Sequence, residues 1–239
     1  MRAVMFDLDG VLVDSWHVAE AAFCDATAAL GLDGPAHIGA FRRRLGMPLD
    51  QIRQELHFPE GFCQLFLETA RRLDHEAVPF AGVPDLLAGL KAEGWRVGVV
   101  TGKDSARAST ILAAGGLARH VDALVGGEAA PRGKPHPDPL WLCEAWLGAG
   151  DAVGYIGDTA IDALAAERAG RAFFHAVWDG AHTPPPEPSG LRRSASPAAI
   201  RTGKLTRRPP RQMPPRFTVE TPAALLSLLR RPARTARYG

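Results

Sequence analysis

The amino-acid sequence predicts an α/β fold, a doubly wound parallel sheet (Rossmannoid core) with an inserted all-helical cap domain. Three observations carry this expectation. From Pro79 onward, strand-length apolar runs alternate with helix-length amphipathic segments. The first apolar run, Arg2 to Phe6, ends abruptly on Asp7, as a buried strand with polar residues at its carboxyl end would. Between the two, residues 36–76 show helical pieces and no convincing strand.

The elements follow in order. From Asp14 to Leu30 the pattern is helical, with Ser15 as a capping residue. Val18, Ala22, Phe23, Ala26 and Leu30 fall on one face, and Gly31 is a stop signal. The helical pieces of 36–76 break near Gly46-Met47-Pro48 and near Phe58-Pro59-Glu60-Gly61. Helices are then expected at Pro84 to Glu93, Ser105 to Ala114, Pro139 to Leu147 and Ile161 to Ala169. Strands are expected at Trp95 to Val100, Val121 to Val125, Ala152 to Ile156 and Ala172 to Trp178. Phe217 to Val219 reads as an edge strand and Pro222 to Leu229 as a short helix opened by proline.

Composition narrows the function classes. With 239 residues, 46% hydrophobic and 23% charged, the chain can bury one substantial core and a small second domain. Its apolar stretches fall short of the roughly 20 residues that span a bilayer, so no membrane span is expected. The N-terminus lacks a signal-peptide pattern, and a cytoplasmic setting is expected. Cys24, Cys63 and Cys143 suit neither a zinc site nor a disulfide framework and read as small apolar residues. Residues 184–239 carry 12 basic and 2 acidic groups, a net +10; residues 1–183 carry 16 basic and 24 acidic, a net −8. A body of negative charge argues against a nucleic-acid partner. The basic part begins with residues 184–216, a Pro/Arg-rich stretch expected to be a disordered insertion.

Polar residues gather at the strand ends, where ligands of such sheets bind. Asp7 follows the first strand, Thr101 the second and Asp158 the fourth, with Lys134 in the loop after the third. Asp7 and Asp9 sit two apart beside Gly10, so both can face one site. Carboxylates so close call for a cation, and magnesium is hard, oxygen-seeking and commonly shared with phosphate. Asp158, in Gly157-Asp158-Thr159-Ala160-Ile161-Asp162, adds a carboxylate, and Asp162 lies one helical turn on. Thr101-Gly102 offers a hydroxyl and backbone N–H groups to phosphate oxygens. Lys134 can neutralise developing charge.

The segments Phe6-Asp7-Leu8-Asp9-Gly10-Val11-Leu12-Val13-Asp14-Ser15, Thr101, Gly133-Lys134-Pro135 and Gly157 to Asp162 resemble the four motifs of the haloacid dehalogenase superfamily. Within it the chain is most similar to the phosphoglycolate-phosphatase-like branch, over residues 2–180 and again at about 217–229. The resemblance implies Mg²⁺-dependent hydrolysis of a small-molecule phosphomonoester through an aspartyl-phosphate. By it, Asp7 is the nucleophile and a metal ligand. Asp9 is the general acid and base, with its backbone carbonyl on the metal. Gly10, Thr101, Gly102 and Lys134 hold the phosphoryl group, Asp158 ligates the metal, and Asp162 supports it from behind. It also implies a catalytic core of residues 1–15 and 79–183 plus about 217–231, a cap of 16–78, and a tail of 232–239. Dehalogenases of the superfamily lack the second Asp of the first motif, which Asp9 supplies here. Phosphoglucomutase-type relatives carry a histidine five residues after the position of Asp14, where this chain has Ala19.

Two other readings compete: a phosphosugar mutase of the same superfamily, and a non-catalytic binding or regulatory module. Substrate clues are sparse. Phe41-Arg42-Arg43-Arg44-Leu45-Gly46 could aim guanidinium groups at an acidic substrate or form a solvated helix face. With Pro48 to Pro59 it bears a weaker likeness to phosphatases associated with aminohydroxybenzoate biosynthesis. His136 reads as a substrate contact or, preferably, loop surface near the site, Trp16 as cleft lining or packing, and Lys103-Asp104 as shaping the phosphate loop or, preferably, as a helix-opening charge pair.

Overall fold

The computed structural model describes residues 2–148, 152, 154–178, 180 and 216–230. The expected insertion at 184–216 (Arg216 apart) and the tail at 232–239 lie outside the described residues.

Among the described residues six strands form the main sheet: β1 (Ala3–Phe6), β4 (Arg96–Val100), β5 (Ala123–Val125), β6 (Gly154–Gly157), β7 (Ala172–Ala176) and β8 (Arg216–Val219). Their order is β5-β4-β1-β6-β7-β8, with every pairing parallel. Period-2 alternation divides the side chains between two faces. Val4, Phe6, Val97 and Val99 pack against α5 (Val83–Ala92), α6 (Ser105–Ala114) and α9 (Pro222–Arg230) through Leu86, Leu90, Ile111 and Leu225. Ala3, Met5, Val100 and Tyr155 face α7 (Asp138–Leu147) and α8 (Ala160–Ala169) through Leu140, Cys143 and Ala166. Both faces are therefore covered, as an all-parallel sheet requires.

Between β1 and β4 the chain leaves the sheet. It goes out through β2 (Val13–Asp14) and returns through β3 (Val78–Pro79), and these pair antiparallel as a two-stranded neck. Four helices lie beyond the neck: α1 (Trp16–Ala29), α2 (Gly34–Arg42), α3 (Leu49–Glu55) and α4 (Gly61–Leu73). They close on a cluster of phenylalanines, Phe23, Phe41, Phe58, Phe62 and Phe66, with the Phe23–Phe41 and Phe58–Phe62 rings 4.7 Å apart. The helical breaks expected at Gly46-Met47-Pro48 and Phe58 to Gly61 fall between α2, α3 and α4. Ser15 departs from expectation. It precedes α1 without capping it, because its hydroxyl is spent on Asp9.

Two features seat this helical cap on the core. Asp74, which follows α4, forms a bidentate, buried ion pair with Arg107 of α6 at 2.8 and 2.7 Å. The loop Gly46-Met47-Pro48 touches the strand-end loops. A Cβ on Gly102 would sit 2.9 Å from the Gly46 carbonyl oxygen, and one on Gly133 would sit 3.1 Å from Pro48. Gly102 is thus glycine because the cap's backbone comes down on it.

Candidate active site

Asp7 is the first residue beyond β1, its N–H donating to the Ile156 carbonyl of β6 at 2.8 Å. That bond fixes the aspartate at the centre of the sheet's carboxyl edge, and its carboxylate is buried. Lys134 reaches it from the loop after β5. The ammonium donates to Asp7 Oδ1 at 2.8 Å, to Asp162 Oδ1 at 2.6 Å and to the Tyr155 hydroxyl at 3.0 Å. Three buried acceptors thus satisfy its three donors. Asp162 is held in turn by the first turn of α8, where it and Thr159 form a capping box.

Burial pushes the Asp7 carboxyl up to about 7; Lys134 pulls it the other way, while the charges of Asp162 and Asp9 add to the rise. Lys134 is buried too, yet Asp162 and Asp7 hold its pKa above the ordinary range. Burial, with the Asp162 charge behind it, also raises the Tyr155 phenol well above its usual value, so it stays neutral.

Asp9 faces the cleft and is only partly buried. Lys103 Nζ donates to its Oδ1 at 2.6 Å, and the Ser15 hydroxyl donates to the same oxygen. Burial alone would raise Asp9, but Lys103, Ser15 and Arg107 together hold it below the usual carboxylate range. Gly10, three residues before the neck, adopts φ +74°, and a Cβ there would lie 2.2 Å from Asp158 Oδ2. Only glycine lets the Asp158 carboxylate approach the first loop so closely. Thr101 is buried at the end of β4. Its N–H goes to the Val125 carbonyl, and its hydroxyl accepts from Lys103 N–H at 3.2 Å.

Oxygens of Asp7, Asp158 and Asp162 all lie within 4.8 Å of one another. One ammonium serves two of these three carboxylates, which leaves net negative charge in a hard, all-oxygen donor set. With the gap that Gly10 keeps open beside Asp158, this is a fit to a divalent cation.

The fold brings all the sequence-predicted residues Asp7, Asp9, Gly10, Thr101, Gly102, Lys134, Asp158 and Asp162 to one edge of the sheet. Other candidates lie elsewhere. Arg42 stacks over the Trp16 ring at 4.4 Å, Arg44 pairs with Glu55 at 2.8 Å, and Arg43 is exposed. None of the three lines the cleft, nor do Trp16 and His136. Burial pushes the Cys143 thiol up to about 12, which makes it inert core. Sequence reasoning missed four groups: Ser15, Lys103, Arg107 and Tyr155. Asp104 does open a helix, accepting from the Arg107 N–H at 2.9 Å, but Lys103 beside it turns into the site. A signal existed only for Tyr155, a lone hydroxyl in an otherwise apolar strand that must find a buried partner.

Known proteins are similar to this chain in sequence and fold. The family described as haloacid dehalogenase-like hydrolase matches residues 4–176. A "Phosphoglycolate phosphatase" of Cereibacter sphaeroides is 34% identical over 184 residues, covering 72% of this chain and 84% of that protein. A protein of Dickeya dadantii (strain 3937) named "Probable phosphatase IndB" is 34% identical over 191 residues, 75% of this chain and 82% of its own. A solved haloacid dehalogenase-like hydrolase from Streptococcus pneumoniae superposes with a TM-score of 0.64 at 25% identity, over 74% of this chain and 85% of that one. The chain belongs to the haloacid dehalogenase-like hydrolase family.

Proposed function

We propose that this chain is a Mg²⁺-dependent phosphatase of small phosphomonoesters, with Asp7 as the nucleophile. One observation carries the reading: the buried Asp7–Lys134–Asp162 constellation at a strand end, with Asp9 facing the same cleft. In this reading residues 16–78 are the cap, and residues 1–15, 79–183 and about 217–231 are the catalytic core.

The roles follow from position. Lys134 holds Asp7 in place and faces the charge that develops as phosphoryl oxygens arrive, with Thr101 and Gly102 donating to the same oxygens. Asp7 attacks phosphorus, the ester P–O bond breaks, and an aspartyl-phosphate forms. In its protonated form Asp9 gives a proton to the departing oxygen, and the carboxylate so formed takes one from the water that cleaves the aspartyl-phosphate. Asp7 and Asp158, with the Asp9 backbone carbonyl, would hold Mg²⁺, with Asp162 behind them. When bound, the ion supplies charge neutralisation of the phosphoryl oxygens and favours ionised Asp7. The seated cap keeps bulk water from the intermediate.

Hydrolysis is favoured over the mutase reading by a particular residue. Ala19, buried on α1, lines the cleft with a methyl group that can move no proton, while His17 is exposed. The module reading fits poorly with a site in which Asp7 and Asp162 share the Lys134 ammonium and Asp9 pairs with Lys103.

The test is release of inorganic phosphate from an aryl phosphate. Addition of Mg²⁺ is expected to switch it on and chelation to abolish it; full activity in chelator would sink the metal assignment. The Lys103 contact gives a second prediction. With Lys103→Met, burial acts on Asp9 against fewer opposing groups, so its pKa rises. The pH limb governed by Asp9 moves to higher pH, whichever of its two proton transfers limits the rate. A pH profile that does not move would separate Lys103 from Asp9.

A further inference from the structure

The cleft above Asp7 is divided by chemistry. Its floor, from the core, is polar: Asp7, Asp9, Thr101, Lys103 and Arg107. Its opposite wall, from the cap, is made of Phe41, Leu45, Met47, Leu49, Ile52 and Phe66. Apart from Ala19 and Gly46, no other cap residue lines it, so the cap presents no polar side chain to the cleft among the described residues. Two of the loop's N–H groups are spent as well, that of Met47 donating to the Arg44 carbonyl at 3.1 Å and that of Leu45 to the Arg42 carbonyl at 3.2 Å.

The two cations of the floor are committed. Lys103 is on Asp9 at 2.6 Å, and Arg107 is bidentate on buried Asp74 at 2.8 and 2.7 Å. A second anionic group on the substrate would meet two cations whose charge Asp9 and Asp74 already neutralise. Ring hydroxyls turned toward the cap would exchange water for carbon and lose their hydrogen bonds.

Resting on the phosphatase reading above, we propose that this site takes phosphomonoesters of apolar alcohols. The leaving group is a hydrocarbon or aromatic ring or chain that lies against the cap wall, with no second anion and few hydroxyls. The phosphoryl group sits on the floor, and the bridging oxygen lies at the boundary beside Asp9. Specificity then comes from burial of the leaving group rather than from hydrogen bonds to it.

The experiment compares kcat/KM of the full chain with Mg²⁺ on three primary alkyl phosphates. Cyclohexylmethyl phosphate and glucose 6-phosphate each place a six-membered ring one carbon from the ester oxygen and differ in ring oxygen and hydroxyls; phosphoglycolate adds a carboxylate. Cyclohexylmethyl phosphate is expected to lead each of the others by about 100-fold or more. Met47→Gln, at a partly exposed wall position, should lower kcat/KM for cyclohexylmethyl phosphate about 10-fold. Inhibition by inorganic phosphate, which reads the floor alone, should stay within twofold. Hydrolysis with glucose 6-phosphate or phosphoglycolate equal or preferred would overturn the inference and leave the phosphatase reading standing. So would a Met47→Gln variant that lowers all three substrates equally. Release of phosphate from none of the three, nor from an aryl phosphate, would overturn both readings.

Discussion

Asp7→Asn is expected to reduce phosphate release by about 10⁴-fold or more, the scale on which loss of a nucleophile is felt, while the fold survives. The amide keeps the shape of the side chain and an oxygen that can still accept from the Lys134 ammonium. What it loses is the charge and lone pair that attack phosphorus. Stability should hold or rise, because burial already drives the Asp7 carboxyl up to about 7. Removing a charge that is costly to bury relieves the folded state. A melting temperature at or above that of the parent, together with lost turnover, separates a chemical role from a structural one. Turnover within tenfold of the parent would remove Asp7 from the nucleophile's place.

Lys134→Met should fail in both respects. The thioether keeps most of the aliphatic stem but strands the buried Asp7 and Asp162 carboxylates, which share the ammonium at 2.8 and 2.6 Å. Breaking a buried ion pair by deleting one partner costs about 3–5 kcal/mol. The deficit has a definite pH dependence. Without the ammonium, the Asp7 pKa in the folded state rises further above its unfolded value. Destabilisation is therefore greatest above that folded pKa and shrinks as the pH falls through it, because a neutral carboxyl needs no cation. Denaturant unfolding at pH 5 and pH 8 measures this: the gap from the parent should be larger at pH 8. An equal gap at both would mean that packing, not charge, is what Lys134 supplies. Turnover should fall about 10²–10³-fold, as when a preorganised electrostatic group is removed from an active site.

The strand ends that build the site were legible because a parallel sheet writes itself plainly into a chain. Apolar runs such as Trp95 to Val100 and Ala152 to Ile156 stop at glycines and polar residues, and the site residues are the ones just past the stops. The face of the first cap helix, Val18, Ala22, Phe23 and Ala26, was likewise legible and is buried. Contacts between residues distant in sequence could be read less well. Lys103 meets Asp9, Arg107 meets Asp74, and Gly46 meets Gly102, each across a long loop of chain that no local pattern records. Ser15 illustrates the difficulty: locally it is a helix cap, yet a carboxylate six residues back is the stronger acceptor for its hydroxyl. The neck strands Val13–Asp14 and Val78–Pro79 are two residues each, too short for alternation to show.

Arg42 to Arg44 teach the reverse lesson. Three consecutive arginines in a cap invite a role in binding an acidic substrate, yet α2 ends at Arg42 and the turn beyond it sends the three to different sides. One therefore stacks on Trp16, one pairs with Glu55 and one is exposed. The arginine that does line the cleft, Arg107, comes from the core and is paired with Asp74.

The most direct test of the central claim is to trap the covalent intermediate. The parent enzyme with Mg²⁺ and excess aryl phosphate is quenched in acid during turnover, reduced with borohydride and digested. An aspartyl-phosphate is converted by this treatment to homoserine, and peptide mass spectrometry locates it. The expected result is homoserine at position 7 and at no other aspartate, dependent on substrate. Modification at Asp9 or Asp158 instead, or unmodified Asp7 in an enzyme that is turning over, would contradict it.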